Sequence, residues 1–167
     1  GVWLHVDAAY AGAAAVCPEL RAHFAGWEHA DSIGFNPHKW LFVPMDCSVL
    51  LTRRRAALRD AFSLVPEYLR VDEDVVSLSE FTQPLGRRFR ALKLWAVLRC
   101  YGAEGLRTII RDHVRLASLF AGWVDDEPGW EVVAPHPFSL VCFRLVADDE
   151  TNEALMQKVN SEGFIFL

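Results

Sequence analysis

Along this chain short apolar runs, of the length of strands, alternate with stretches whose apolar residues recur at helical spacing. Val2 to Val6 is an apolar run closed by Asp7, the pattern of a buried strand in an α/β sheet. The residues from Ala8 to Ala15 are small enough for close packing, and Pro18 to Gly26 reads as a short helix. A second strand is predicted over Ala30 to Phe35, a turn over Asn36 to Trp40, and a third strand over Ser48 to Thr52. From Ala56 to Gln83 the pattern weakens; Val71 to Asp74 and Ser77 to Glu80 read as solvated loop, the segment expected to be most mobile.

Two helices are predicted next, divided by Gly102. Gly86 to Tyr101 carries Phe89, Leu92, Ala96 and Leu98 or Arg99 at near-helical spacing. Ala103 to Asp125 places Leu106, Ile109, Ile110, His113, Leu116, Ala117, Phe120 and Trp123 on one expected face. Pro128-Gly129 ends that element. Strands follow over Trp130 to Ala134 and Ser139 to Val146. A helix over Thr151 to Ser161 is expected to take Thr151 as its N-cap and to stop at Gly163, with a last strand beyond.

Composition makes this a folded chain: of 167 residues, 52% are hydrophobic and 23% charged. Lys and Arg number 17 against 22 Asp and Glu, a formal charge of -5, which argues against a general nucleic-acid binder. Arg53-Arg54-Arg55 and Arg87-Arg88-Phe89-Arg90 therefore read as solvated faces or subunit ion pairs. No apolar stretch approaches the ~18 residues needed to span a bilayer, and no membrane partner is expected. Cys17, Cys47, Cys100 and Cys142 lie far apart and read as reduced core residues, as in a cytoplasmic protein; Trp95, Trp123 and Trp130 also read as core. The chain starts and stops inside apolar runs without an initiator Met, so a piece of a longer protein is expected.

Two residues carry candidate chemistry. Asp7 closes the first strand, and Lys39 follows the second after Asn36-Pro37-His38. Neighbouring parallel strands bring their carboxyl ends to one edge, where α/β proteins bind ligands. A buried lysine with a carboxylate partner could be only an ion pair positioning two loops. It could also be a pyridoxal phosphate site, because that cofactor needs a lysine amine for its Schiff base and a carboxylate on its pyridine nitrogen. His5 reads as a strand histidine with a structural hydrogen bond. A metal site built from His5, Asp7 and His38 lacks a further ligand at recognisable spacing, and Lys39 beside it would repel a cation, so no metal is expected.

The motifs His5-Val6-Asp7-Ala8-Ala9-Tyr10-Ala11-Gly12 and Asn36-Pro37-His38-Lys39-Trp40-Leu41 closely resemble the group II pyridoxal-phosphate-dependent amino acid decarboxylases, and among them the aromatic-L-amino-acid decarboxylases. Asp46-Cys47-Ser48, Pro84 to Trp95, Leu140 to Leu145 and Asn152 to Leu155 continue the resemblance in the same order, over essentially the whole chain. The resemblance implies an α/β fold of the aspartate-aminotransferase-like type (PLP fold type I). Residues 1–127 would form the later part of the large cofactor domain with its connecting helices, and residues 128–167 the start of the small α+β domain. Lys39 resembles the lysine that holds pyridoxal 5'-phosphate, and Asp7 the carboxylate that pairs with the pyridinium nitrogen. Ala9 resembles the small residue packed against the ring, while Asn36 and His38 resemble the pair that helps fix the phosphate and orient the lysine. The implied reaction is decarboxylation of an amino acid, with an aromatic side chain, to an amine. The implied full-length protein is a cytoplasmic homodimer, and the isolated 167-residue chain is expected to be inactive.

One departure bears on the outcome. Relatives carry a tyrosine in a loop before Pro-Leu-Gly that is held to protonate the carbanion. Here Ser77 to Gln83 contains no tyrosine, and an ungapped count back from Pro84 puts Leu78 at that place. The resemblance therefore also allows an oxygen-consuming aldehyde synthase, and a non-catalytic scaffold piece is a third expectation for the isolated chain.

Overall fold

Asp31, a buried carboxylate just ahead of the second strand, ties three chain segments into one sheet. In the computed structural model, which describes residues 1–63, 78–84 and 86–167, the backbone N–H of Asp31 donates to Leu4 O at 2.8 Å. Its Oδ2 accepts from Leu4 N at 3.0 Å and its Oδ1 from Arg54 Nε at 2.8 Å. Its carbonyl accepts from Thr52 Oγ1 at 3.0 Å and Arg53 N at 3.1 Å. The Leu4 N–H, and after it the Arg54 guanidinium, hold the Asp31 carboxyl below its ordinary value.

The strands so joined are β1 (His5–Asp7), β2 (Ser32–Phe35) and β3 (Val49–Thr52), in the order β1-β2-β3. β1 pairs parallel with β2, in a register that sets Asp7 beside Gly34; β2 pairs antiparallel with β3. The small residues after β1 form a 3-10 helix, Ala11–Val16, with Ala13 and Ala14 buried. A Cβ on Gly12 would stand 2.9 Å from the Ala8 Cβ and 3.2 Å from the Phe35 Cβ, so this approach depends on glycine. The predicted short helix at Pro18 is a 3-10 helix, Pro18–Phe24, followed by another at Trp27–His29.

Within the stretch of weak pattern lies a helix the sequence reading did not expect, α1 (Arg55–Phe62), in which only Leu58 and Phe62 are even half-buried. Two apolar residues one turn apart leave too thin a stripe to be read from periodicity. A 3-10 turn, Leu78–Phe81, stands where loop was expected, and Arg55 lies 5.0 Å over the Phe81 ring. The expectation for Val71 to Asp74 falls outside the described residues, as does Ser77.

The two predicted central helices form α2 (Arg90–Asp126), interrupted at Gly102, whose φ of 63° and ψ of 178° break the helical path. The chain divides into two compact units, Gly1–Arg107 and Thr108–Leu167. On α2 the buried positions are Leu106, Ile110, Ala117, Ala121 and Val124. Leu116 and Trp123, expected on that face, are exposed, because the buried stripe advances through the small residues Ala117 and Ala121 instead. Trp95 and Phe89 are exposed as well. Of the cysteines, all free, Cys17 and Cys47 are buried as expected, while Cys100 and Cys142 are exposed.

In the second unit, β4 (Trp130–Val132) pairs antiparallel with β5 (Phe143–Leu145), and Phe120 meets Phe143 edge-on at 5.0 Å. The helix α3 (Asp149–Glu162) starts earlier than its apolar pattern. Its N-cap is Asp148, whose Oδ1 accepts from Thr151 N at 2.7 Å; Thr151 is the donor and not the cap. Gly163, with φ of 74°, ends the helix as expected. The Asn152 side chain accepts from Leu145 N at 3.0 Å and donates to Leu145 O at 3.1 Å, fastening α3 to β5. Residues 164–167 form no strand, and the Asn160 amide holds both backbone groups of Leu167. Among the described residues no helix is long and apolar enough to cross a membrane.

The buried stripe of α2 makes a direct contrast. Ile110→Ala removes a fully buried side chain and is expected to lower unfolding free energy by about 2–5 kcal/mol in urea titration. Leu116→Ala, one turn and a half away on the exposed side, is expected to change it by less than ~0.5 kcal/mol.

Candidate active site at the sheet edge

Parallel pairing of β1 with β2 carries both strands out at the same edge, and hydrogen bonds extend the pairing past their ends. Ala8 N donates to Gly34 O at 2.8 Å, and Asn36 N donates to Ala9 O at 3.1 Å. Asp7, Ala9 and the turn beginning at Asn36 are thereby gathered at one edge.

Each residue there has a definite tether. Asp7 Oδ1 accepts from Ala9 N at 2.9 Å, a side-chain turn that fixes the carboxylate and keeps Oδ2 for an outside donor. Asn36 O accepts from Lys39 N at 2.9 Å, closing the turn. The His38 ring places Nδ1 3.0 Å from Cys47 N and 2.6 Å from Cys47 O, so the far end of the loop is pinned to its start. Trp40 is buried and stacks on Tyr10 at 4.9 Å with planes 3° apart. With His38 and Trp40 both drawn inward, Lys39 between them is left outward. Its side chain is exposed and makes no hydrogen bond or ion pair among the described residues.

The sequence reading had placed Asp7 at the end of a buried strand and Lys39 in a buried pair. Both are exposed here, and no ion pair joins them among the described residues. Among the described residues β1 pairs with β2 alone. His5 does make the expected structural hydrogen bond, with Nδ1 2.7 Å from Ser32 Oγ. Among the described residues no group of three or more His, Cys, Asp or Glu stands together as a metal site.

A second constellation had not been foreseen as a contact. Arg90 Nε and Nη2 converge on Asp46 Oδ2 at 3.0 and 2.8 Å. This joins the loop after Lys39 to the start of α2, two segments that sequence alone marked separately. Asp46, Ser48, Pro84, Gly86, Arg87, Arg88 and Arg90 line a cleft of about 400 Å³. The Arg90 guanidinium, and after it the backbone N–H of Asp46, hold the Asp46 carboxyl down at about 2.

Residues 1–146 match the pyridoxal-dependent decarboxylase conserved domain. This chain belongs to the pyridoxal-dependent decarboxylase family. It is 48% identical over 170 residues to the aromatic-L-amino-acid decarboxylase of Sus scrofa, covering 99% of this chain and 35% of that protein. Its fold matches a crystal structure of Oryza sativa TDC with PLP and tryptamine at a TM-score of 0.91 and 41% identity, over 99% of this chain and 37% of the other. A crystal structure of Rhodiola rosea 4-hydroxyphenylacetaldehyde synthase matches at 0.87 and 37% identity, over 99% and 35%. The chain thus spans about a third of the length of these relatives. The fold is the type I fold of PLP-dependent group II decarboxylases, and pyridoxal phosphate is the cofactor.

The residues present suit a pyridoxal-dependent decarboxylase. Asp7 offers an oriented carboxylate with a spare oxygen, and Lys39 an amine without a competing partner among the described residues. Ala9 stands beside Asp7 with only a methyl group, and Asn36 and His38 frame the turn that presents Lys39. Their individual contacts to the cofactor belong to the proposal below.

The Asp46–Arg90 link predicts a pH effect of definite sign. A carboxyl lowered from 3.8 to about 2 stabilises the fold fully above its unfolded value, and that stabilisation is lost as pH falls from about 4 through about 2. Acid titration followed by circular dichroism should show Asp46→Asn lacking this component: less stable than the parent above about 4, with the difference shrinking through the window and gone below about 2. The effect is modest, because both side chains are partly exposed.

Proposed function

We propose that the protein carrying this chain removes the α-carboxylate of an aromatic L-amino acid as carbon dioxide, leaving the amine. The observation that carries this reading is the delivery of Asp7 and of Lys39, which has no partner among the described residues, to one edge by the parallel β1–β2 pair. Similarity to decarboxylases of aromatic amino acids supports the substrate class.

In this reading Lys39 would be the covalent attachment point for the cofactor aldehyde. Bound pyridoxal phosphate would supply a protonated ring as the acceptor for the electron pair released by loss of the carboxylate. Asp7 would pair with the ring nitrogen, while Ala9 N–H keeps the carboxylate from rotating. Ala9 leaves room for the ring. Asn36 and His38 brace the phosphate side and the turn, and the Cys47 backbone in turn fixes the imidazole. A proton must finally reach the α-carbon. The homodimer, with substrate sites completed across subunits, and the cytoplasmic location are part of the same proposal.

A second reading is favoured by Leu78, which occupies the ungapped place of the relatives' loop tyrosine and is 71% exposed. With no hydroxyl there to protonate the carbanion, molecular oxygen can take its electrons. The net reaction would turn amino acid, oxygen and water into aldehyde, ammonia, carbon dioxide and hydrogen peroxide. Similarity to an aldehyde synthase supports this alternative.

Borohydride reduction of the full-length protein with pyridoxal phosphate should leave a pyridoxyl group on Lys39, found by peptide mass spectrometry, and none in Lys39→Ala. Absence of that adduct in the parent overturns the assignment. Amine without peroxide supports the decarboxylase, and peroxide equal to carbon dioxide supports the synthase; in that case Leu78→Tyr should shift product from aldehyde to amine.

A further inference from the structure

We propose that His5 is a positioning residue for Asp7, held by Ser32 and Trp3 so that its Nε2–H forms a fixed positive dipole beside the carboxylate. His5 and Asp7 stand two residues apart on β1 and so share one face of the sheet. The tautomer follows from satisfying Ser32, which is 5% exposed. Trp3 Nε1 can only donate, and it does so to Ser32 Oγ at 2.8 Å. The buried hydroxyl proton then needs an acceptor, and His5 Nδ1, at 2.7 Å, is the one within reach among the described residues. A bare Nδ1 leaves the ring proton on Nε2.

Gly34 shows where that N–H lies. A Cβ on Gly34 would stand 3.4 Å from His5 Cε1 and 3.5 Å from Nε2, at ordinary van der Waals contact, so the imidazole edge lies beside Gly34. Gly34 is the register partner of Asp7. The imidazole edge is thus laid over the residue directly beside the carboxylate. His5 and Asp7 share no direct hydrogen bond among the described residues, and the N–H acts through its dipole. That dipole would steady the carboxylate in the orientation from which it pairs with the cofactor ring nitrogen.

This inference rests on the pyridoxal phosphate reading, and its test separates the two. Apo full-length protein is titrated with pyridoxal phosphate and with the analogue in which C–H replaces the ring nitrogen. His5→Phe is expected to weaken pyridoxal phosphate by about 5-fold, the upper size of a dipole–charge interaction at a partly exposed site, and Ser32→Ala, which keeps the imidazole but frees it, in the same direction. Neither should alter the analogue's affinity by more than ~2-fold, and intact analogue binding shows that the variants are folded. Equal weakening of both ligands, or weakening of neither, overturns the positioning role. Failure of the parent protein to bind pyridoxal phosphate overturns the cofactor reading itself, and this inference with it.

Discussion

The candidate site depends on the parallel pairing of β1 with β2. In a parallel pair both carboxyl ends leave at the same side, so residues 32 positions apart, Asp7 and Lys39, reach one edge without any contact of their own. Asp31 secures the opposite end of the pair, bonding to Leu4 ahead of β1 and to the segment leaving β3. Ala8 and Asn36 extend the pairing past the strand ends. Gly12 lets the chain after β1 close onto Phe35.

Much of this was legible in the sequence because it is local. Apolar runs closed by polar or turn residues marked β1, β2 and β3, a lone glycine marked the break in α2, and Gly163 marked the end of α3. What was missed depended on tertiary context. α1 has only Leu58 and Phe62 to betray it, and the N-cap of α3 lies at Asp148, ahead of a first turn of acidic residues with no apolar period. On α2, large side chains were weighed above alanines. The buried stripe nevertheless runs through Ala117 and Ala121, since close approach selects small residues and exposes Leu116 and Trp123.

The chemistry was legible as residue types and their order, and less so as environment. Asp7, Ala9, Asn36, His38 and Lys39 were all singled out from two short motifs, but burial of the acid and the amine was assumed from the apolar run that precedes Asp7. Burial depends on what packs over a strand's face, which an apolar run along the strand does not itself reveal. The Asp46–Arg90 link shows the complementary limit. Two motifs separated by 44 residues carried the resemblance independently, and only the fold shows that one guanidinium joins them.

The two halves of the proposed chemistry rest on different parts of the chain, and this explains why the cofactor is easier to assign than the product. Holding a pyridinium ring and forming a covalent link need a carboxylate and an amine fixed to a sheet edge, and the β1–β2 pair supplies both. Delivering the last proton needs a group that approaches the α-carbon after the bond has broken. The residue at issue, Leu78, belongs to a 3-10 turn without buried residues, outside the sheet altogether. Relatives of nearly equal similarity include decarboxylases and an aldehyde synthase. In the proposed reading the acid and the amine belong to the sheet edge and the proton donor does not, so similarity to both kinds of relative supports the cofactor without choosing the product.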